Sequence, residues 1–137
     1  MSLNIERKIE MFDFREQAKN ATVISDLMEG RDKIKVSDIV DDEVLKGEII
    51  LTDFDIIHTV NDKGESISYP VFTYKEDDSK FFNGGYVLNK IVNMWIEKFD
   101  GNVDSCREAF RASGGLAIKM SAGKTKNSHN IINVEIK

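Results

Sequence analysis

The 137-residue sequence predicts a mainly β fold with helices, organised as a five-stranded barrel. Two observations predict this class: two groups of strand-like stretches, and a helical region between them. Three stretches rich in β-branched and aromatic residues come first, and two stretches with period-two alternation of apolar and polar residues close the chain. A region with strong helical periodicity separates the two groups. The expected order is therefore strand, strand, strand, helix, strand, strand.

The five strands are predicted at Glu48–Val60, Ser66–Tyr74, Lys80–Asn83, Leu116–Met120 and Ile131–Ile136. In the first of these, the alternation slips near the middle, which is typical of a long strand that bends or contains a bulge. Pro70 marks an edge or a bulge in the second strand because proline cannot donate a ladder hydrogen bond.

The helix between the third and fourth strands has the clearest boundaries. Its apolar residues form one stripe at steps of three and four: Leu88, Ile91, Val92, Trp95 and Phe99. Asn83 can cap its first turn and the Asp100-Gly101-Asn102 cluster can end it, which gives a length of about fourteen residues. A second, shorter helix is predicted over Asn102–Ala112.

The chain divides into a mostly helical N-terminal extension, residues 1–43, and a barrel domain, residues 44–137. Residues 4–19 predict an amphipathic helix, a further helical pattern ends at Gly30, and Lys33–Val36 alternates like a short strand. Charge is also divided, since residues 1–60 carry a net charge of −6 and residues 101–137 carry +3. The C-terminal third is therefore the part that a polyanion would meet.

Several function classes are disfavoured by what the sequence contains. Cys106 is the single cysteine, so an internal disulfide and a zinc site built on cysteines are excluded and a reducing, cytoplasmic compartment is expected. Apolar runs are too short for a membrane span. Gly123-Lys124 lacks the preceding glycine of a phosphate loop, because Ile118 occupies that position. With no nucleophile and base pair in evidence, we expect a binding protein with no enzymatic activity, no cofactor and no metal.

The acidic sets Asp41–Glu43 and Glu76–Asp78 could hold a cation, although neither has the spacing of a calcium-binding loop. Solvated turns are the favoured interpretation of both.

Aromatic and basic residues are interleaved in the middle strands and the last hairpin. Single-stranded nucleic acid is bound in this way, with bases stacked on exposed rings and cations along the backbone. The candidate residues are Tyr69, Phe72, Tyr74, Lys75, Lys80, Phe82, Lys119, Lys124 and Lys126. Strand alternation places about half of these rings in the core: Tyr69 shares one face with Ile67 and Val71, and Phe72 and Tyr74 share the other. Which face is exposed stays open at this point.

A single helical region between the third and fourth strands is also the connectivity of an OB-like barrel. The segment from Leu45 to Ile136 resembles the single-stranded-DNA-binding proteins of phages and mobile elements of Gram-positive bacteria. The resembling stretches are Thr52–Asp55, Phe72–Lys75, Phe82–Ile91 and Lys119–Asn127. The resemblance implies that the protein coats single strands during replication or recombination, without cofactor or catalysis.

Alternatives remain open. RNA could replace DNA as the ligand, and barrels of this class also bind small ligands or sugars. The acidic N-terminal helices could instead carry a protein-interaction or structural module, with the barrel as scaffold. The extension is also the candidate contact for a homo-oligomer.

Overall fold

The computed structural model describes residues 25–124 and 130–137 of the chain. The strands are β1 (Asp32–Ile34), β2 (Glu48–Val60), β3 (Ser66–Tyr74), β4 (Asp77–Asn83), β5 (Leu116–Lys124) and β6 (Asn130–Ile136). The helices are α1 (Val36–Val40), α2 (Gly85–Lys98) and α3 (Val103–Ala112). Within this part of the chain, no helix is both long and apolar enough to cross a membrane.

The fold is mainly β, as predicted, and its six strands form one sheet that curls into a half-barrel. The strand order is β1-β4-β3-β2-β5-β6, with β1 parallel to β4 and the other neighbours antiparallel. The centre is β2, which pairs with β5 through Glu48–Leu51 and with β3 from Leu51 to Val60. The register of β2 against β3 shifts between Leu51 and Asp53, so the strand has an irregularity in its pairing where a bend or bulge was predicted.

The sheet differs from the predicted five-stranded barrel in strand number. β1 adds a sixth strand by pairing Asp32 with Lys80 and Ile34 with Phe82. In the described residues, β6 pairs with β5 alone, so the two outer strands do not join. The difference has a physical cause, because β1 occupies the edge of β4 that would otherwise be free to accept another strand.

The segment before β2 contributes to this sheet and its core. Ile39 of α1 is buried in the main core, and Ile34 and Val36 pack against it. Residues 32–40, predicted as part of the extension, therefore pack with the residues predicted as the barrel. Residues 26–30, which continue a helical pattern in the sequence, form turns. The predicted helix over residues 4–19 lies outside the described residues.

The main core lies between the sheet and the two longer helices. Phe54 of β2 contacts the rings of Trp95 on α2 and Phe110 on α3, at centroid distances of 5.9 and 5.5 Å. Leu88 and Val92 extend this contact along α2, so the predicted apolar stripe faces the sheet except at Phe99, which follows the helix and is 38 % exposed. A hydrophobic stripe at this spacing is buried by packing one helix face on a sheet.

A smaller apolar cluster lies on the opposite face of the sheet. It joins Ile57, Val71 and Phe81 to Leu27, with Tyr69 packed against it. The turn that carries Leu27 is held there, so residues 25–27 cover part of this face.

Candidate nucleic-acid interface

Three of the predicted stacking rings are core residues. Phe72, Tyr74 and Phe82 are buried in the main core, and their rings contact each other at centroid distances of 5.6 and 5.9 Å. A base can stack only on a ring that exposes one face. The stacking role predicted for these rings is therefore corrected, because alternation turns all three toward the face covered by the helices.

Tyr69 lies on the other face, as its spacing predicted. It is half-buried, opposite Ile57 in the β2–β3 pair, and it packs against the cluster around Leu27. Its neighbour on this face, Ile67, is partly exposed. Tyr69 keeps some accessible surface, so it stays a candidate at the margin of an interface.

Two of the predicted lysines lie beside carboxylates. Lys80 forms an ion pair with Asp32 at 3.5 Å. Lys119 lies between Glu48 on β2 and Glu135 on β6 in the sheet register. The Lys137 ammonium, and less strongly Lys119, hold the pKa of the Glu48 carboxyl below its usual range. Lys80 and Lys119 are thus less available to a phosphate than their sequence positions suggest.

The other predicted lysines are Lys75, Lys124 and Lys126. Lys75 and Lys124 are exposed and form no ion pair with a described residue. Lys126 lies outside the described residues. The open cations in the described part of the predicted set are therefore Lys75 on the β3–β4 turn and Lys124 at the end of β5.

A groove of about 490 Å³ opens between the start of α2 and β6. It is lined by Gly84, Gly85, Tyr86, Val87, Ile131, Ile132 and Asn133. None of these residues carries a carboxylate, and most of the wall is apolar. Tyr86 is 80 % exposed at this wall, so one aromatic ring of the described chain is both accessible and beside an uncharged groove.

The two glycines that begin the groove have structural reasons to be glycine. A Cβ on Gly84 would lie 2.4 Å from the Phe72 ring, so the backbone at this point rests directly on the core. Gly85 has a φ of +75°, a conformation that side chains disfavour. Its N–H donates to the Asn83 side chain at 3.1 Å, so the predicted capping residue does contact the first turn of α2.

Two exposed lysines lie on elements beside this groove, one on α2 and one on β5. Lys124 pairs with Asn130 in the register position next to Gly123 and Ile131, and Ile131 is a groove residue. Lys90 follows Tyr86 by one helical turn and lines an adjoining hollow with it. Both lysines are exposed and lie near the groove without lining it, and Glu97 lies in the same hollow as Lys90.

Tyr86 was not among the residues predicted from the sequence to bind nucleic acid. A usable signal was present, since Tyr86 lies two positions before Leu88 and therefore off the buried stripe of α2. An aromatic residue off the stripe of an amphipathic helix is expected on the surface. The aromatic residues predicted to stack bases all lie on strands, whose covered face the sequence does not show.

An ion cluster around the buried Arg107 lies beside β2, next to the residues of β2 that do not pair with β5. The Arg107 guanidinium of α3, 9 % exposed, makes hydrogen bonds to both oxygens of Asp53 at 3.3 and 2.9 Å. It also contacts Asp26 at 3.1 Å and Asp55 at 3.4 Å, and the Ser25 hydroxyl donates to Asp55. Burial alone would lower the pKa of Arg107, but the three carboxylates raise it. Because each acid already has a partner, the cluster serves to hold α3 and residues 25–26 against β2.

Comparisons with models of protein families, with curated proteins and with solved structures gave no significant match. Among the described residues, no three acidic, histidine or cysteine side chains are grouped so as to hold a metal ion.

Proposed function

We propose that this protein binds single-stranded nucleic acid, DNA in the first place, and does not catalyse a reaction. A base stacks on Tyr86 at the α2–β6 groove, and the strand's phosphates lie against Lys90 and Lys124. The observation that carries the proposal is the exposed Tyr86 ring on the wall of a groove without carboxylates. Lys90 lies one helical turn further along α2, and Lys124 lies one register position from the Gly123–Ile131 pair.

The chemistry of the groove supports a single strand over a duplex. Stacking on an aromatic ring requires a base that is free of its neighbours, and it tolerates any sequence because every base has a π-face. Duplex binding depends on many phosphate contacts. The chain carries a net charge of −5, and several of its lysines face carboxylates, so few cations are available for such contacts.

The biological role that fits this proposal is the coating of single strands during phage or mobile-element replication or recombination, in the cytoplasm. It rests on the resemblance of residues 45–136 and on the half-barrel whose central strand β2 pairs with β3 and β5. RNA is the alternative ligand, and a competition titration with matched oligonucleotides would distinguish the two.

The direct test is a fluorescence anisotropy titration of a labelled oligothymidine at low salt. Tyr86→Ala should weaken binding by about 1–3 kcal/mol, roughly five- to 150-fold, because the stacking surface is lost. Tyr86→Phe should bind like the wild type, since the ring remains. Met94→Ala is the control for truncation of an exposed side chain on the same helix.

Two results would overturn the proposal. One is the absence of binding by the wild type at low salt. The other is a Tyr86→Ala variant whose affinity equals that of the Met94→Ala control, which would move the ligand away from this groove.

A further inference from the structure

A second concavity, of about 380 Å³, lies between α1, the loop that follows it and the β3–β4 turn. We call it the Tyr74 hollow. Its charged lining consists of Asp38, Asp42, Glu76, Asp77 and Lys80, a formal charge of −3. Lys80 is already paired with Asp32, and none of the four carboxylates forms an ion pair with a described residue.

The four carboxylates are held in place by the backbone. One oxygen of each accepts a backbone N–H at 2.8–3.1 Å. The donors are close in sequence for Asp38, Asp42 and Asp77, and the donor to Glu76 is Ile50 of β2. The second oxygen of each accepts no hydrogen bond from a described residue. The acids are therefore fixed in position, and each keeps an oxygen that is available to a ligand.

Tyr74 supplies an independent observation at the base of the hollow. Its side chain is 3 % exposed, and its hydroxyl makes no hydrogen bond with a described residue. Every side-chain oxygen of the described chain that is closed off from solvent has a hydrogen-bond partner. Because the Tyr74 hydroxyl has no such partner, it is not closed off, and it reaches the open volume of the hollow. Burial, and then the charges of Asp77, Asp42 and the other two acids, raise the pKa of Tyr74 to about 12. The phenol is therefore neutral at physiological pH, and its hydroxyl is free to form a hydrogen bond with a ligand.

We infer that the Tyr74 hollow binds the side chain of an arginine presented by a partner protein. The acceptors are several and separate, and a guanidinium has five donors in a fixed plane, whereas an ammonium is a point charge. A single metal ion fits poorly, because no three acids of the described chain are grouped around one point. Apolar residues complete the match: Leu45 lines the wall and Val44, 89 % exposed, stands at the rim where the aliphatic stem and the partner's backbone would lie.

The test uses the full chain, labelled with ¹⁵N and free of nucleic acid, so it is independent of the proposed function. Acetyl-arginine amide should shift the amide signals of Val44, Leu45 and Asp77 in a saturable way. Acetyl-citrulline amide, a neutral isostere, should not. Asp42→Asn combined with Asp77→Asn should weaken arginine binding at least fivefold, since an amide oxygen can keep the backbone hydrogen bonds while the charge is removed.

Two further variants complete the design. Tyr74→Phe removes the hydroxyl alone and should also weaken binding. Asp62→Asn combined with Glu65→Gln makes the same charge change on the β2–β3 turn and should leave affinity unchanged. If the double variant in the hollow does not fold, Asp42→Asn and Tyr74→Phe carry the test as single changes.

The inference is overturned if citrulline shifts the same signals equally, or if the charge change in the hollow has no more effect than the change on the turn. Tighter binding of magnesium or of spermidine to the same amides would also overturn it, because the hollow would then serve a free cation in place of a protein side chain.

Discussion

Arg107 is the residue on which three separate parts of the chain converge. Its guanidinium is the closest cation to three carboxylates. Asp26 lies in the turns over residues 26–30, and Asp53 and Asp55 lie in β2. Removing one partner of a buried ion cluster leaves the others without compensation in a low-dielectric site. The cluster is therefore more sensitive to loss of its arginine than to loss of any one acid.

Arg107→Met should lower the free energy of unfolding by about 3–5 kcal/mol, because the largely buried carboxylates of Asp53 and Asp55 lose their counter-ion. Arg111→Met is the matched control. Its guanidinium is 48 % exposed and contacts Asp53 at 3.4 Å, and exposed ion pairs contribute about 0–1 kcal/mol. Urea denaturation of both variants measures the difference, and equal losses would show that the cluster contributes nothing beyond surface pairing.

A fall in pH should weaken the contact between Arg107 and Asp26. Burial raises the pKa of Asp26, but the charge and hydrogen bond of Arg107 lower it more, so the folded pKa lies below the ordinary value of 3.8. A depressed folded pKa stabilises the fold above 3.8, and this contribution is lost as the pH falls through the folded value. Urea midpoints measured across this range should therefore fall less steeply in Arg107→Met than in the wild type.

At the residue scale, the sequence separated side chains into two faces but not into inside and outside. Tyr69 and Phe72 were correctly placed on opposite faces of β3. The covered face depends on Trp95 and Phe110, which come from helices later in the chain. Alternation alone contains no information about such long-range packing, and so three core rings were predicted to stack bases.

At the element scale, the elements with strong periodicity were predictable. The α2 helix, Gly85–Lys98, has the predicted length, and β2 has the predicted irregularity. A short strand was predicted at Lys33–Val36 and overlaps β1, but its pairing with β4 could not be predicted because that pairing is set by the fold. Short strands at the edge of a sheet depend on their neighbours more than on their own sequence.

Two glycines control how closely elements approach the central strands. A Cβ on Gly115, at the start of β5, would lie 2.0 Å from the Leu51 carbonyl oxygen. A Cβ on Gly47, before β2, would lie 1.9 Å from the Met120 carbonyl oxygen. Both glycines also have positive φ, so the β2–β5 junction depends on the absence of a side chain at each end.

Gly115→Ala should therefore destabilise the protein more than Gly64→Ala. Both positions have positive φ, at +94° and +79°, and the strain of an alanine in that region costs about 1–2 kcal/mol. Gly64 has open space around it, whereas Gly115 would also push β5 from β2. We expect a loss of about 3 kcal/mol or more for Gly115→Ala. Thermal unfolding of the two variants tests this, and similar melting temperatures would contradict the close approach.

At the scale of the whole molecule, charge pairing limits how many lysines a polyanion can use. The open cations near the groove are Lys90 and Lys124, whereas Lys119 lies between two glutamates. Binding to a single strand releases about 0.7 counter-ions for each neutralised phosphate. Two contacts predict a slope of log affinity against log salt of about −1.4, and Lys126 as a third would make it about −2.

Lys124→Ala should reduce that slope by about 0.7, because one phosphate contact is lost. Lys119→Ala, on the same strand, should leave the slope unchanged. Oligothymidine titrations at several salt concentrations give both values. A larger change in the salt slope for Lys119→Ala than for Lys124→Ala would show that the bound nucleic acid follows the face of the sheet and not the groove.

The position of β2 between β3 and β5 sets the order in which the chain can fold. The β2–β3 hairpin closes a short turn, whereas the β2–β5 pairing closes a long loop that contains β3, β4, α2 and α3. Contacts between distant segments carry the larger loop-closure entropy and form late. Ile118→Val, in β5, should therefore speed unfolding and leave the refolding rate nearly unchanged in stopped-flow measurements of Trp95 fluorescence. The lifetime of the native state is then determined by the last strand pair to form and the first to open.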